Sequence, residues 1–467
     1  MTTGHGGDGT STVSVHGDDS TNTVSVHDED DTNTVSVHGG DGTSTVSVHG
    51  LGYVGLPTAA LFANNGFTVY GIDTQPDKLD RLRTEGADFR ESELNDYVDR
   101  VLGTDALRLR ERPVESDYHL ICVPTPFDRH RGAADLSYVR AAAEGIAPKL
   151  RPGDTVVVES TVPPGTTANV VGETLERNGD LLRETFNLAF CPETVLPGSI
   201  LAELRGNDRI VGGIDDEATA AARDLFAGVV DGDIHPAPDA ATAEFAKLAQ
   251  NTHRDANIAV ANELAKVARD HGVVPRPAFE LANEHPRVDL LHPGPGVGGH
   301  CLPVDPLYLG QHSDHVDLIE HARAVNDGMV DYVRDLLVDG LGSLAGKQVA
   351  VFGLAYKGNV ADTRNSPAKR FVDRLTATPE LVATDGGEAS IDLRVHDPHV
   401  DDASVDLWSA SAALDGADAL VFMTDHDEFT ELDPEAVAER MADTVVVDAR
   451  GLTDESWYLT GLDVRQL

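Results

Sequence analysis

Short apolar runs broken by glycine, proline and acidic turns recur along most of the chain. Thr45-Val-Ser-Val-His49, Phe67-Thr-Val-Tyr-Gly-Ile-Asp73, His119-Leu-Ile-Cys-Val123, Thr155-Val-Val-Val158 and Phe186-Asn-Leu-Ala-Phe190 are β-branched or aromatic and bounded by turn residues, which predicts buried strands. A helical run from Leu56 to Asn65, stopped by Gly66, falls between the first two, so the order is strand, turn, helix, strand. From Thr242 to about Asp270 the chain lacks glycine and proline and carries Phe245, Leu248, Ile258, Leu264 and Val267, predicting one long helix. From about Leu341 a second alternating pattern begins, with strands predicted at 348–352, 393–396, 419–422 and 444–447. The fold class is therefore α/β, with two sheet domains flanking a central helical region. Boundaries are expected at 45–235, 236–335 and 336–467.

The first 44 residues follow another rule. A Thr-Val-Ser-Val-His unit starts at Thr12, Thr23, Thr34 and Thr45, a period of eleven residues with Asp/Gly/Ser/Asn spacers. The last copy runs on into the globular pattern as its first strand. The upstream copies bring too little apolar surface to form a core, so residues 1–44 are expected to be a solvated, disordered tail, with competition for the sheet as the sharper alternative.

Composition narrows the function classes. A net charge of -43, from 79 acidic against 36 basic side chains, disfavours nucleic acid and anionic membranes as partners. Only seven of the basic residues are lysine, a balance that fits a halophile's cytoplasm. The 467 residues hold three cysteines, Cys122, Cys191 and Cys301, too few and too scattered for a disulfide framework or a zinc cluster, so reduced thiols and no metal are expected. No run is long and apolar enough to span a bilayer, and a cytoplasmic protein is expected.

After the first strand, Gly50, Gly52 and Gly55 give the G-x-G-x-x-G spacing, and Asp73 ends the next strand about twenty positions on. The glycines permit a tight turn, close approach of backbone to a pyrophosphate and close helix packing. The carboxylate accepts from ribose hydroxyls and favours NAD over NADP, so this is a Rossmann domain for NAD. Polar loops at 124–126, 159–165 and 191–198 leave the ends of later strands, where open α/β sheets bind ligands. On the long helix Lys247, Asn251 and Arg254 fall at i, i+4 and i+7 and share one stripe. The glycine-dense segment 294–306 holds Cys301 with Asp305 four residues on, a thiol that backbone can approach closely and a carboxylate beside it. Cys122 and Cys191 sit at strand ends in apolar runs and read as inert.

Together these residues resemble the UDP-sugar 6-dehydrogenase family from about Thr45 to the C-terminus. The motifs are Gly-Leu-Gly-Tyr-Val-Gly-Leu-Pro at 50–57, Cys-Val-Pro-Thr-Pro at 122–126, Glu-Ser-Thr-Val-Pro-Pro-Gly-Thr-Thr at 159–167, Lys247 with Asn251, Gly-Gly-His-Cys at 298–301 with Asp305, and Ala-Tyr-Lys-Gly-Asn-Val-Ala-Asp-Thr-Arg at 355–364. The resemblance implies four-electron oxidation of a sugar C6 alcohol to a uronate, with Cys301 holding the aldehyde as a thiohemiacetal and then a thioester. It further implies that Lys247 and Asn251 donate to the oxyanion, that Asp305 pairs with Lys247 and moves protons, and that Thr125 and Glu193 order water. Gly50, Gly52, Tyr53, Val54, Gly55, Asp73, Thr125, Thr161 and Arg364 are implied at the cofactor. Glu193, Lys247, Asn251, Arg254, Gly298 and Lys357 are implied at the substrate. The C-terminal domain would hold the UDP moiety, and the long helix would make a homodimer or a higher homo-oligomer.

Glucose-type members carry a second acidic residue where this chain has Pro197, so a UDP-N-acetylhexosamine is the expected substrate, UDP-N-acetylmannosamine before UDP-N-acetylglucosamine. The alternatives are UDP-glucose oxidation, a two-electron hydroxyacid-type dehydrogenase that would not need Cys301, and a non-catalytic NAD-binding interaction protein working through its tail.

Overall fold

The computed structural model describes residues 43–89, 91–195, 198–377 and 390–467, with backbone alone at 13–18, 21–26 and 34–35. Pro197 lies outside the described residues. Strands β1 (Thr45–His49), β2 (Thr68–Ile72), β3 (Leu107–Arg110), β4 (Tyr118–Ile121), β5 (Thr155–Val158), β6 (Asn187–Phe190), β7 (Arg209–Gly213) and β8 (Ile234–Pro236) form one sheet in the order β8-β7-β6-β5-β4-β1-β2-β3. Neighbours from β6 to β3 are parallel, whereas β7 runs antiparallel to β6 and β8 follows β7. The strand order reverses on either side of β1, which opens a crevice beyond the ends of β1 and β4. Val46 and Val48 of β1 are fully buried, and helix α1 (Gly55–Asn64) lays Leu61 and Phe62 against the same core.

A second sheet, all parallel, contains β9 (Gln348–Phe352), β10 (Asp392–His396), β11 (Ala419–Phe422), β12 (Val445–Asp448) and β13 (Asp463–Gln466) in the order β10-β9-β11-β12-β13. Between the two sheets run the helices α2 (Ala240–Asp270), α3 (Asp305–Gly310) and α4 (Asp317–Leu341). Asp239 caps α2 by accepting from Thr242 N at 2.7 Å, which explains why the helix begins two residues before the Thr242 expected from sequence.

In the tail, where a solvated chain is expected, the segments Val13–Asp18, Thr21–Val26 and Thr34–Val35 pair antiparallel in a small sheet of their own. Alternating Val with Thr and Ser is strand-forming. None of these segments joins the strand order of the main sheet, whose centre is held by β1.

Candidate active site

Gly50 ends β1 with φ +93°, and a Cβ there would meet Cys122 O at 2.6 Å. A Cβ on Gly55 would collide with Gly50 O, because α1 starts hard against the turn. Gly52 is different: nothing lies within 4 Å of where its Cβ would be, so the turn faces open space there. Asp73 accepts from Leu51 N and Gln75 N, each at 3.1 Å, and from Lys78 Nζ at 2.8 Å. Burial would raise its pKa, but Lys78 and the two amides outweigh that and hold the carboxyl below its ordinary value. The turn opens into a cleft of about 1110 Å³ lined by Gly52, Tyr53, Lys78 and Glu91 on one side and by Asn359 to Asp362 of the C-terminal domain on the other. A free glycine face, an ionised carboxylate at the second strand end and the mouth of a helix suit a dinucleotide.

The C-terminal domain repeats this turn in closed form. Gly353 also has φ +93°, and its N donates to His396 O at 2.8 Å as Gly50 N does to Ile72 O. Asp397 occupies the place of Asp73, yet it accepts from Leu354 N, Ala355 N, His399 N and Val400 N and faces His426 Nε2 at 3.0 Å. Its acceptor positions are filled by the protein. His426 also takes a bond from Asn359 N on Nδ1, so both ring nitrogens are engaged although it stands within metal-ligand spacing of His399 and Glu428.

At the centre, α2 brings Lys247, Asn251 and Asp305 together. Asn251 Nδ2 donates to Asp305 Oδ2 at 2.5 Å, while Lys247 Nζ donates to Glu193 O at 2.6 Å. The expected Lys247–Asp305 ion pair is therefore not made: the ammonium takes the Glu193 carbonyl, and the amide one turn along the helix takes the carboxylate. Lys247 and Asp305 are both buried. Burial pushes the Asp305 carboxyl up to about 6, against the pull of Asn251 and then Lys247. Cys301 is exposed as a residue, yet the protein surrounding its thiol, followed by the Asp305 charge, pushes that thiol up to about 11, with Lys247 pulling the other way. Among the Gly294–Gly299 glycines, Gly298 would place a Cβ 2.6 Å from Tyr356 Cβ, and Gly299 N donates to Arg364 O at 2.9 Å, so the cysteine loop is fastened to the C-terminal domain. Arg364 itself grips Asp362 through Nε and Nη2.

The cofactor side joins the same cluster. Thr125 Oγ1 donates to Thr161 O at 2.7 Å, and Glu193 Oε2 accepts from Val195 N at 2.6 Å. Val54 precedes α1 as its N-cap, and Tyr53 packs edge-on to Phe89. Lys357 is exposed on the loop after β9, and Arg254 is exposed on α2 with no bond to the cluster among the described residues. Cys191 is buried, and Cys122 donates to the buried Glu159 at 2.8 Å, in keeping with inert thiols.

Two residues of the site have no signal in the sequence. Glu244, fully buried on α2, accepts from Gly165 N at 2.5 Å and Thr167 N at 2.7 Å. Tyr308 on α3 donates its hydroxyl to Thr125 O.

A cradle for a dinucleotide beside a thiol, a lysine and a poised carboxylate defines an NAD-dependent dehydrogenase with a covalent-capable cysteine. Residues 44–230 match the NAD binding domain, 241–328 the central domain and 350–455 the UDP binding domain of the UDP-glucose/GDP-mannose dehydrogenase family, and the chain belongs to that family. It is 38% identical to the UDP-N-acetyl-D-mannosamine dehydrogenase of Methanocaldococcus jannaschii, over 89% of this chain and 94% of that one. Identity to the enzyme of the same name from Salmonella typhi is also 38%, over 86% and 97%. The solved UDP-D-ManNAc dehydrogenase from Pyrococcus horikoshii superposes with a TM-score of 0.82 at 37% identity, covering 90% of this chain and 98% of that one.

Proposed function

We propose that this chain oxidises UDP-N-acetyl-D-mannosamine at C6 to the uronate, through a covalent intermediate on Cys301. The observation that carries the reading is the cluster of Cys301, Lys247, Asn251 and Asp305 between a dinucleotide cradle and a UDP binding domain. Substrate identity is supported by the relatives named for it.

NAD held at Gly50–Gly55 and Asp73, with Tyr53, Val54, Thr125, Thr161 and Arg364 around it, supplies the hydride acceptor for two oxidations. Asp305, pushed up to about 6 and so mostly ionised at neutral pH, takes the proton that the thiol gives up. Cys301 Sγ then adds to the aldehyde carbon, and Lys247 Nζ with the second amide hydrogen of Asn251 donates to the oxygen that gains charge. Once the adduct has become a thioester, Thr125 and Glu193 order the water that releases the carboxylate and frees the thiol. Lys357, Gly298 and Arg254 serve substrate binding.

Domain limits at 45–235, 236–335 and 336–467 belong to the same reading. So do a cytoplasmic location and a homodimer through α2, whose Phe245, Val260, Leu264 and Val267 are exposed.

The test offers the purified protein UDP-N-acetylmannosamine, UDP-N-acetylglucosamine and UDP-glucose separately with NAD. Two NADH per uronate from the first, lost in Cys301→Ala, is the expected result. One NADH per product, or full activity without the thiol, would overturn it.

A further inference from the structure

The residues around the cluster close a ring of hydrogen bonds. Glu244 on α2 accepts from Gly165 N and Thr167 N. From Gly165 the chain runs back through Pro164 and Pro163, a stiff link, to Thr161, whose carbonyl accepts from Thr125 Oγ1. The Thr125 carbonyl accepts from the Tyr308 hydroxyl. Tyr308 sits one turn along α3 from Asp305, which accepts from Asn251 Nδ2. Asn251 returns to α2, seven residues or about 10 Å from Glu244. Glu244, Thr125, Asp305 and Tyr308 are all buried.

We propose that this closed ring fixes the spacing between the cofactor-side loop, residues 161–167, and the cysteine-side helix α3, and that Glu244 and Tyr308 are its positioning residues. Neither has a part among the reacting groups assigned above. Each ties together two segments that do: Tyr308 joins Thr125 to Asp305, and Glu244 joins the Thr161 loop to the helix that carries Lys247 and Asn251. Misplacing such groups by about 1 Å costs on the order of a hundredfold in rate. A ring cut at one place has lost its closure, so a second cut adds little.

The inference rests on the function proposed above, and the experiment keeps the two apart. Tyr308→Phe removes one oxygen and keeps the packing, and Glu244→Gln removes one acceptor while keeping the shape. Each is made singly and together in the full chain. With the nucleotide sugar and NAD, each single variant is expected to lose roughly ten- to a hundredfold in kcat with KM for NAD within about threefold, the double variant falling no further than the worse single. Without any ligand, iodoacetamide labelling of Cys301, followed by peptide mass spectrometry, is expected to change in rate by the same factor in all three. Multiplying losses, or unchanged kcat and unchanged labelling in either single variant, would overturn the ring. If the wild type oxidises no nucleotide sugar, the function fails and the labelling rates still decide the ring.

Discussion

Gly52 and Gly55 stand three residues apart and answer to different constraints. Gly55→Ala drives a Cβ into the Gly50 carbonyl, so Tm should fall along with cofactor binding. Gly52→Ala meets nothing in the protein, so Tm should hold while KM for NAD rises at least about tenfold, because the methyl would stand in the open space the turn offers a pyrophosphate. Thermal melts beside NAD titrations separate the two. At Asp305 the pH dependence has a definite sign. With the ionised carboxylate as the proposed proton acceptor, kcat/KM should rise as pH climbs through about 6. Lys247 favours that carboxylate, so Lys247→Met should move the limb to higher pH while costing on the order of 10²–10³ in rate. The glycine turn, Asp73, the Lys247/Asn251 stripe and Cys301 could be read in the sequence because spacing within one element defines them. Glu244 and Tyr308 could not, since their partners lie 79 and 183 residues away.

Among the elements, α2 and α4 are joined by polar side chains as well as apolar ones. Arg323 Nη1 donates to Asp255 Oδ1 at 2.6 Å, Asn326 Nδ2 to the same oxygen at 2.9 Å, and Asn262 Nδ2 to Asn326 Oδ1 at 2.9 Å. Asn262 Oδ1 then accepts from Gly294 N at 2.8 Å, where the cysteine loop begins. Arg323→Met would strand the buried Asp255 carboxylate and should cost about 3–5 kcal/mol in urea unfolding. The strands with continuous β-branched runs, such as β5 and β12, were legible from pattern. So was α2, unbroken by glycine or proline. Leu107-Arg-Leu-Arg110 as β3 and Arg209–Gly213 as β7 were not, because an edge strand with alternating arginines and a strand ending in two glycines both resemble loop. Helix α4 contains Gly328 and Gly340, which weaken a helical pattern that packing against α2 restores.

The molecule as a whole carries a charge that its fold must tolerate. With -43 spread over 467 residues, self-repulsion opposes compactness, and we expect Tm to rise as KCl goes from ~0.1 M to ~1 M, where the screening length drops from about 10 Å to about 3 Å. A Tm that falls or stays flat would remove the halophilic reading. The tail strands pair only with one another, so deleting residues 2–42 should leave kcat/KM within about twofold in a turnover assay. The two-sheet plan was legible because each half repeats the same alternation. That the second half repeats even the Gly/Asp turn was not, since Asp397 lies among loop residues whose contacts come from elsewhere.

With Asp397 plugged by His426 and four amides, the described residues offer a single dinucleotide berth, whereas the proposed four-electron conversion would consume two cofactors. In the proposed reaction, spent cofactor would then depart and a fresh molecule dock while the half-converted sugar stays tethered, which would make the entrance between the domains a turnstile turned twice per sugar.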